Sequence, residues 1–119
     1  MLSAQTKANI VTQRYWFQFL DRVVGVMPKS DLKRETPRFP FQGEVQLQIE
    51  GEAEKRWLSL MNISREGITA RGNTEIRLGT RVVLEMNPEG SPISLRGEVV
   101  HCTGTLGGFK IGIRLEFES

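Results

Sequence analysis

Two short stretches of this chain carry the residue types best suited to recognition chemistry: Arg34-Glu35-Thr36-Pro37-Arg38 and Asn62-Ile63-Ser64-Arg65-Glu66-Gly67. Arginine offers five donors in a rigid planar fork. It grips a phosphate through paired hydrogen bonds, pairs with the O6/N7 edge of guanine, or stacks on a base. Two such groups four residues apart on a proline-stiffened segment, with Lys33 beside them, suit a compact anion that also carries planar bases. Each good bidentate contact contributes roughly 1–3 kcal/mol of discrimination. An isolated R-x-x-x-R is more often a pair of solvated linker charges.

In the second stretch, Asn62 can donate and accept at once, which suits a base edge. Ser64 can donate to a phosphate or a base. Gly67 can take a positive φ or let a ligand approach the backbone closely. The same residue types also make ordinary turns between strands. Covalent catalysis has little support. There is one histidine, His101, and one cysteine, Cys102. Neither H-x-E nor C-x-x-C occurs, and no Ser-His-acid arrangement has supporting context. Gly104–Gly108 matches neither a phosphate-binding loop nor a dinucleotide fingerprint and reads as a hairpin loop. The chain is therefore not expected to be an enzyme, and no metal or cofactor is expected.

Composition narrows the partners. The 119 residues fit one domain, and 39% hydrophobic with 25% charged residues is ordinary for a soluble protein. A net charge of +2 is too small for bulk binding to DNA or RNA. A single cysteine excludes an internal disulfide and points to a reducing cytoplasm. No run of about 18 apolar residues is present, so a membrane span is not expected. The greasy stretch Tyr15–Met27 is interrupted by Gln18, Asp21 and Arg22, which also argues against a secretory signal.

Three zones must position the two motifs. Residues 1–28 read as an amphipathic helix, periodic from about Ala4 to Met27 and stopped by Pro28. Arg14, Gln18, Asp21, Arg22 and Gly25 form one narrow polar stripe on an otherwise apolar surface. Residues 29–40 read as a charged, proline-containing, flexible linker that bears R-x-x-x-R. Residues 41–119 read as β throughout. Val45, Leu47 and Ile49 alternate with polar residues. Trp57–Met61, Ile68–Arg71, Arg81–Met86, Ile93–Cys102 and the alternation of Ile111 to Phe117 follow. Turns fall at Glu50-Gly51-Glu52, at Asn62–Gly67, at Asn87-Pro88-Glu89-Gly90 and at Thr103–Gly108. Short strands joined this way predict an antiparallel barrel.

Taken in order, the two motifs and these strands resemble the PilZ domain family, receptors for the bacterial second messenger cyclic di-GMP. The resemblance rests on Arg34 and Arg38 before the first barrel strand, on Asn62, Ser64 and Gly67 in the following [D/N]-x-S-x-x-G turn, and on Leu95–Val100 and Ile111–Leu115 as closing strands. It covers roughly Leu32 to Phe117. It implies a mainly β fold, a six-stranded antiparallel barrel, with Arg34 and Arg38 clamping guanine edges and phosphates. Asn62 and Ser64 would read a second guanine, and Gly67 would leave room for it. His101 lies where some members place a base-facing side chain. Lys33 stands where many members have arginine, a position that influences whether one dinucleotide or a stacked pair is bound. Asn62 replaces the commoner aspartate.

The expected function is that of a bacterial, cytoplasmic receptor that binds cyclic di-GMP and signals as the linker and helix become ordered. Its rival is a PilZ-like protein–protein adaptor, indifferent to nucleotide, working through the helix. A surface so broadly apolar must be covered, by the chain's own barrel, a second copy or a partner protein. A single-stranded nucleic-acid binder would need aromatic platforms, for which Trp57 and Phe109 are the only scattered candidates.

Overall fold

In a computed structural model the protein is described over residues 11–24, 39–87 and 92–117. Among the described residues one helix, α1 (Gln13–Val24), precedes six strands: β1 (Phe39–Ile49), β2 (Lys55–Ile63), β3 (Gly67–Gly72), β4 (Arg81–Met86), β5 (Ile93–Thr105) and β6 (Gly108–Glu116). The strands close into a barrel in the order β1-β2-β3-β6-β5-β4, every pair antiparallel. Closure leaves no sheet edge to recruit another chain. The predicted fold class is the observed one.

Period-two alternation builds the core. Val45 and Leu47 of β1, Leu58 and Leu60 of β2, Val82 and Leu84 of β4, and Leu95 and Val99 of β5 point inward and are buried. Burial of each such side chain stabilises by about 1.5–3 kcal/mol. Strand β1 begins at Phe39, so the last two residues of the predicted linker belong to the barrel. The hairpin joining β5 and β6 is tighter than a Thr103–Gly108 loop. Thr103, Gly104 and Thr105 are strand, Thr105 pairs with Gly108, and Leu106-Gly107 make the turn. Gly107 sits at φ 88°, in the left-handed region that a two-residue hairpin requires. The Asn87–Gly90 turn lies mostly outside the described residues.

Helix α1 begins inside the predicted span, of which residues 4–10 and 25–27 lie outside the described residues. Val11 and Thr12 are not helical, and the Thr12 hydroxyl accepts the Tyr15 N–H at 3.1 Å as an N-cap. The Val11 N–H donates to the Ser94 carbonyl at 2.9 Å, pinning the helix entrance to β5. Trp16, Phe19 and Leu20, at a helical spacing of three and four, are buried in the same core as the strands. Trp16 stacks on Phe19 (centroids 5.2 Å apart), and Phe19 meets Phe41 of β1 edge-on at 6.2 Å. The predicted polar stripe, Arg14, Gln18, Asp21 and Arg22, is exposed. The described part of the apolar face, Trp16, Phe19 and Leu20, is thus covered by the chain's own barrel. Of the large rings on the described helix, only Tyr15 is substantially exposed, at 38%.

Candidate functional site

The N-x-S-x-x-G turn is where β2 passes to β3. Ser64 N–H donates to the Gly67 carbonyl at 2.8 Å. The Ser64 hydroxyl accepts the Gly67 N–H at 3.0 Å and donates to the Gly67 carbonyl at 3.2 Å. The hydroxyl thus meets both backbone groups of Gly67, and one lone pair is left for a further contact. Gly67 does not owe its identity to a positive φ; a Cβ there would fall 2.5 Å from the Ile113 carbonyl oxygen. The close passage of β6 demands it.

Asn62 owes its outward aim to an irregularity that sequence alternation alone does not predict. Leu58 and Leu60 point into the core, so strict alternation would turn Asn62 inward as well. Instead Leu60 pairs with Ala70 and Asn62 with Thr69, leaving Met61 as an extra residue. This bulge resets the phase, so that Asn62 is half-buried on the outer wall and Ile63 is buried. The same device acts on β5. Val99 pairs with Ile113 and His101 with Gly112, with Val100 extra. Without that bulge His101 would follow Val99 into the barrel; with it, His101 is exposed.

The two bulges face each other across β3 and β6. Reading across the wall, Asn62 pairs with Thr69, Thr69 with Gly112, and Gly112 with His101. Gly112 has no side chain, and a Cβ would come within 2.9 Å of the His101 Cβ. It forms a bare floor between the amide and the imidazole. A cavity of about 540 Å³ opens over this row, lined by Asn62, Ser64, Gly67, Thr69, His101 and Gly112, with Glu66, Lys110 and Arg114 around them. Asn62, Ser64, Gly67 and His101, picked out from the sequence, thus lie together. Thr69, Lys110, Gly112 and Arg114 were not singled out as site residues. Their signal was the alternation Lys110-Ile111-Gly112-Ile113-Arg114, which places three residues on the outer face. Arg114 donates to Glu98 at 2.9 Å across the β5–β6 ladder.

Lys33, Arg34 and Arg38 lie outside the described residues. Phe39, which follows Arg38 in the chain, pairs with Ile63, and Pro40 pairs with Asn62. The R-x-x-x-R segment therefore joins the barrel beside the turn that carries the second motif.

The helix holds that turn from the other side. The Trp16 indole N–H donates to the Ser64 carbonyl at 2.9 Å, in a buried setting. The Arg65 guanidinium lies 5.0 Å from the Phe17 ring centroid, within cation–π range. The side chains of Asn62 and Ser64 line the cavity while the carbonyl of Ser64 faces α1. Among the described residues no group of His, Cys, Asp and Glu could hold a metal ion. No helix among them is long and apolar enough to cross a membrane.

The described residues thus form a closed six-stranded antiparallel barrel with a partly polar cavity on its outer wall. The chain belongs to the PilZ domain family, whose model matches residues 32–119. No curated protein sequence matches it. Several solved structures share the fold, three of them as follows. The PilZ domain of YcgR from Escherichia coli, solved with c-di-GMP, superposes with a TM-score of 0.58 at 13% identity, over 70% of this chain and 77% of that one. The MrkH–c-di-GMP complex of K. pneumoniae gives 0.59 at 19%, over 72% of this chain and 45% of that one. The Bacillus subtilis inhibitor of motility MotI/DgrA gives 0.55 at 19%, over 72% and 44%. The chain thus spans less than half of the latter two proteins.

Proposed function

We propose that this protein is a cytoplasmic bacterial receptor for cyclic di-GMP, with Arg34 and Arg38, helped by Lys33, closing over a ligand seated on the barrel wall. The observation that carries the proposal is the cavity over Gly112, which gathers Asn62, Ser64, Gly67 and His101 beside the strand that receives the R-x-x-x-R segment. Membership of the PilZ family and the c-di-GMP in two of the similar structures support it. In this reading Asn62 meets a guanine edge with donor and acceptor together. Ser64 accepts an N–H of the base with its remaining lone pair. His101 flanks the ring that rests over Gly112, and the arginines supply the guanidinium contacts.

The signal leaves through the turn. Ligand contacts on Asn62 and Ser64 and the helix contact on the Ser64 carbonyl share one short backbone segment. A ligand that binds one arrangement of this turn better than another shifts the seating of α1, by no more than its differential affinity for the two. A protein partner or second copy reached through the helix would read its outer face, where Tyr15 stands among Arg14 and Gln18. Size-exclusion chromatography with and without cyclic di-GMP checks that step.

Isothermal titration with cyclic di-GMP tests the receptor itself. Micromolar or tighter binding, abolished by Arg38→Ala, is the expected result. Absence of heat at high ligand concentration refutes it and favours the nucleotide-independent adaptor.

A further inference from the structure

Strand β6 carries basic residues that the two motifs do not account for. Lys110, Gly112 and Arg114 occupy alternate positions on its outer face, and all three line the cavity. Arg114 has Glu98 as an ion-pair partner. Among the described residues Lys110 has no such neighbour. Directly across the β3–β6 ladder stands Arg71, and on the β5 side stands Thr103. Neither Lys110 nor Arg71 has an acidic partner among the described residues.

Two cations directly opposite on one face of a sheet have Cβ atoms roughly 5 Å apart and destabilise the pair. The barrel gains nothing visible from this arrangement: Arg71 is exposed, Lys110 is half-buried, and both could be polar and neutral without disturbing the core. What the arrangement does supply is a concentrated positive charge, with Lys110 in the lining of the cavity and Arg71 beside it, outside that lining. It lies one outer-face position along β6 from the bare Gly112 floor, a step of about 6.7 Å. That offset suits a phosphate attached to a sugar whose base lies over Gly112.

We propose that Lys110 and Arg71 form a phosphate subsite, holding one phosphodiester of the bound cyclic dinucleotide from the barrel side. This rests on the receptor reading above. Lysine meets the phosphate as a compact charge, and arginine can present two N–H groups to its oxygens. The anion also relieves the repulsion between the two cations, so ligand binding and the stability of the unliganded barrel pull in opposite directions at these positions.

That opposition makes the test specific. Lys110→Gln and Arg71→Gln are each titrated with cyclic di-GMP by calorimetry, and each is melted without ligand. Each substitution is expected to weaken binding about 5- to 20-fold, as loss of one charge-assisted contact should. Each should raise the ligand-free melting midpoint by about 1–4 °C, because a like-charge pair is removed. The fall in affinity with added salt should be shallower in both variants. A purely structural role would lower the midpoint together with the affinity, and that result overturns the subsite. Unchanged affinity in both variants, with Arg38→Ala still abolishing binding, overturns the subsite and leaves the receptor reading standing. No binding by the unaltered protein overturns both.

Discussion

Replacing Trp16 with phenylalanine tests the joint between helix and site. The indole is fully buried, and its N–H donates to the Ser64 carbonyl at 2.9 Å. Phenylalanine keeps a ring against Phe19 but has no donor. The Ser64 carbonyl is then left in a buried setting without this partner, a cost of about 1–3 kcal/mol. The smaller ring also leaves a void of roughly 40 Å³, adding about 1 kcal/mol. A total loss of about 2–4 kcal/mol is expected from equilibrium denaturation, a large part of the stability of a small domain. A loss below about 0.5 kcal/mol, the range of a surface substitution, would refute the docking of α1 through this contact.

The same substitution probes signalling. If ligand and helix bias one turn, the coupling is reciprocal: whatever the ligand does to helix seating, loss of helix seating does to ligand affinity. Cyclic di-GMP affinity should then change by about 5-fold or more in Trp16→Phe, measured by calorimetry below the variant's melting range. A direct optical check is available because the chain has two tryptophans. The other, Trp57, is 62% exposed. In a Trp57→Phe background Trp16 is the sole indole, and its buried, blue-shifted emission should move on ligand addition. Full destabilisation with unaltered affinity and unmoved emission would refute the coupling while leaving the docking intact.

Other substitutions separate the parts of the site. Thr12→Ala removes the helix N-cap and should lower stability by about 1 kcal/mol in a denaturant titration, with Thr12→Ser restoring most of it. Gly67→Ala forces a Cβ to 2.5 Å from the Ile113 carbonyl, so β3 and β6 must part. About 1–3 kcal/mol of stability should be lost together with ligand affinity, whereas a stable, tightly binding variant would mean that β6 can yield. His101→Ala, on an exposed position, should leave the melting midpoint nearly unaltered, within about 0.5 kcal/mol, and weaken the ligand complex severalfold. Equal affinity would remove His101 from the site.

The barrel was legible because its strands obey the simplest pattern a sequence can show. Val45-x-Leu47 and Val82-x-Leu84 place alternate residues inward, and the structure places them there. The turn bearing Asn62, Ser64 and Gly67 was legible as a motif, while the contacts that hold Gly67 and Ser64 within the fold were not. Gly67 is fixed by the passage of the Ile113 carbonyl, a contact between residues far apart in sequence. The Ser64 hydroxyl meets both backbone groups of Gly67 within its own turn. The helix's partner was not legible either. A greasy stripe says that something must cover it, and the aromatic contacts of Phe19 with Phe41 are what make the barrel that cover.

The bulges were the most consequential omission, and they did leave a trace. In β2 the buried positions run Leu58, Leu60 and then Ile63; in β5 they run Leu95, Gly97, Val99 and then half-buried Cys102. Each series skips from a step of two to a step of three, and each skip falls on a residue that lines the cavity or its immediate neighbour. A strand that keeps strict alternation can offer only every second side chain to its outer wall. Inserting one residue in each of two strands turns Asn62 and His101 outward at facing positions without turning any core residue out of the barrel. The phase break is thus the local device by which a continuous hydrophobic core and a polar outer wall are built from the same strands. A break of this kind flanked by a turn motif marks the site more directly than the identities of the residues that line it.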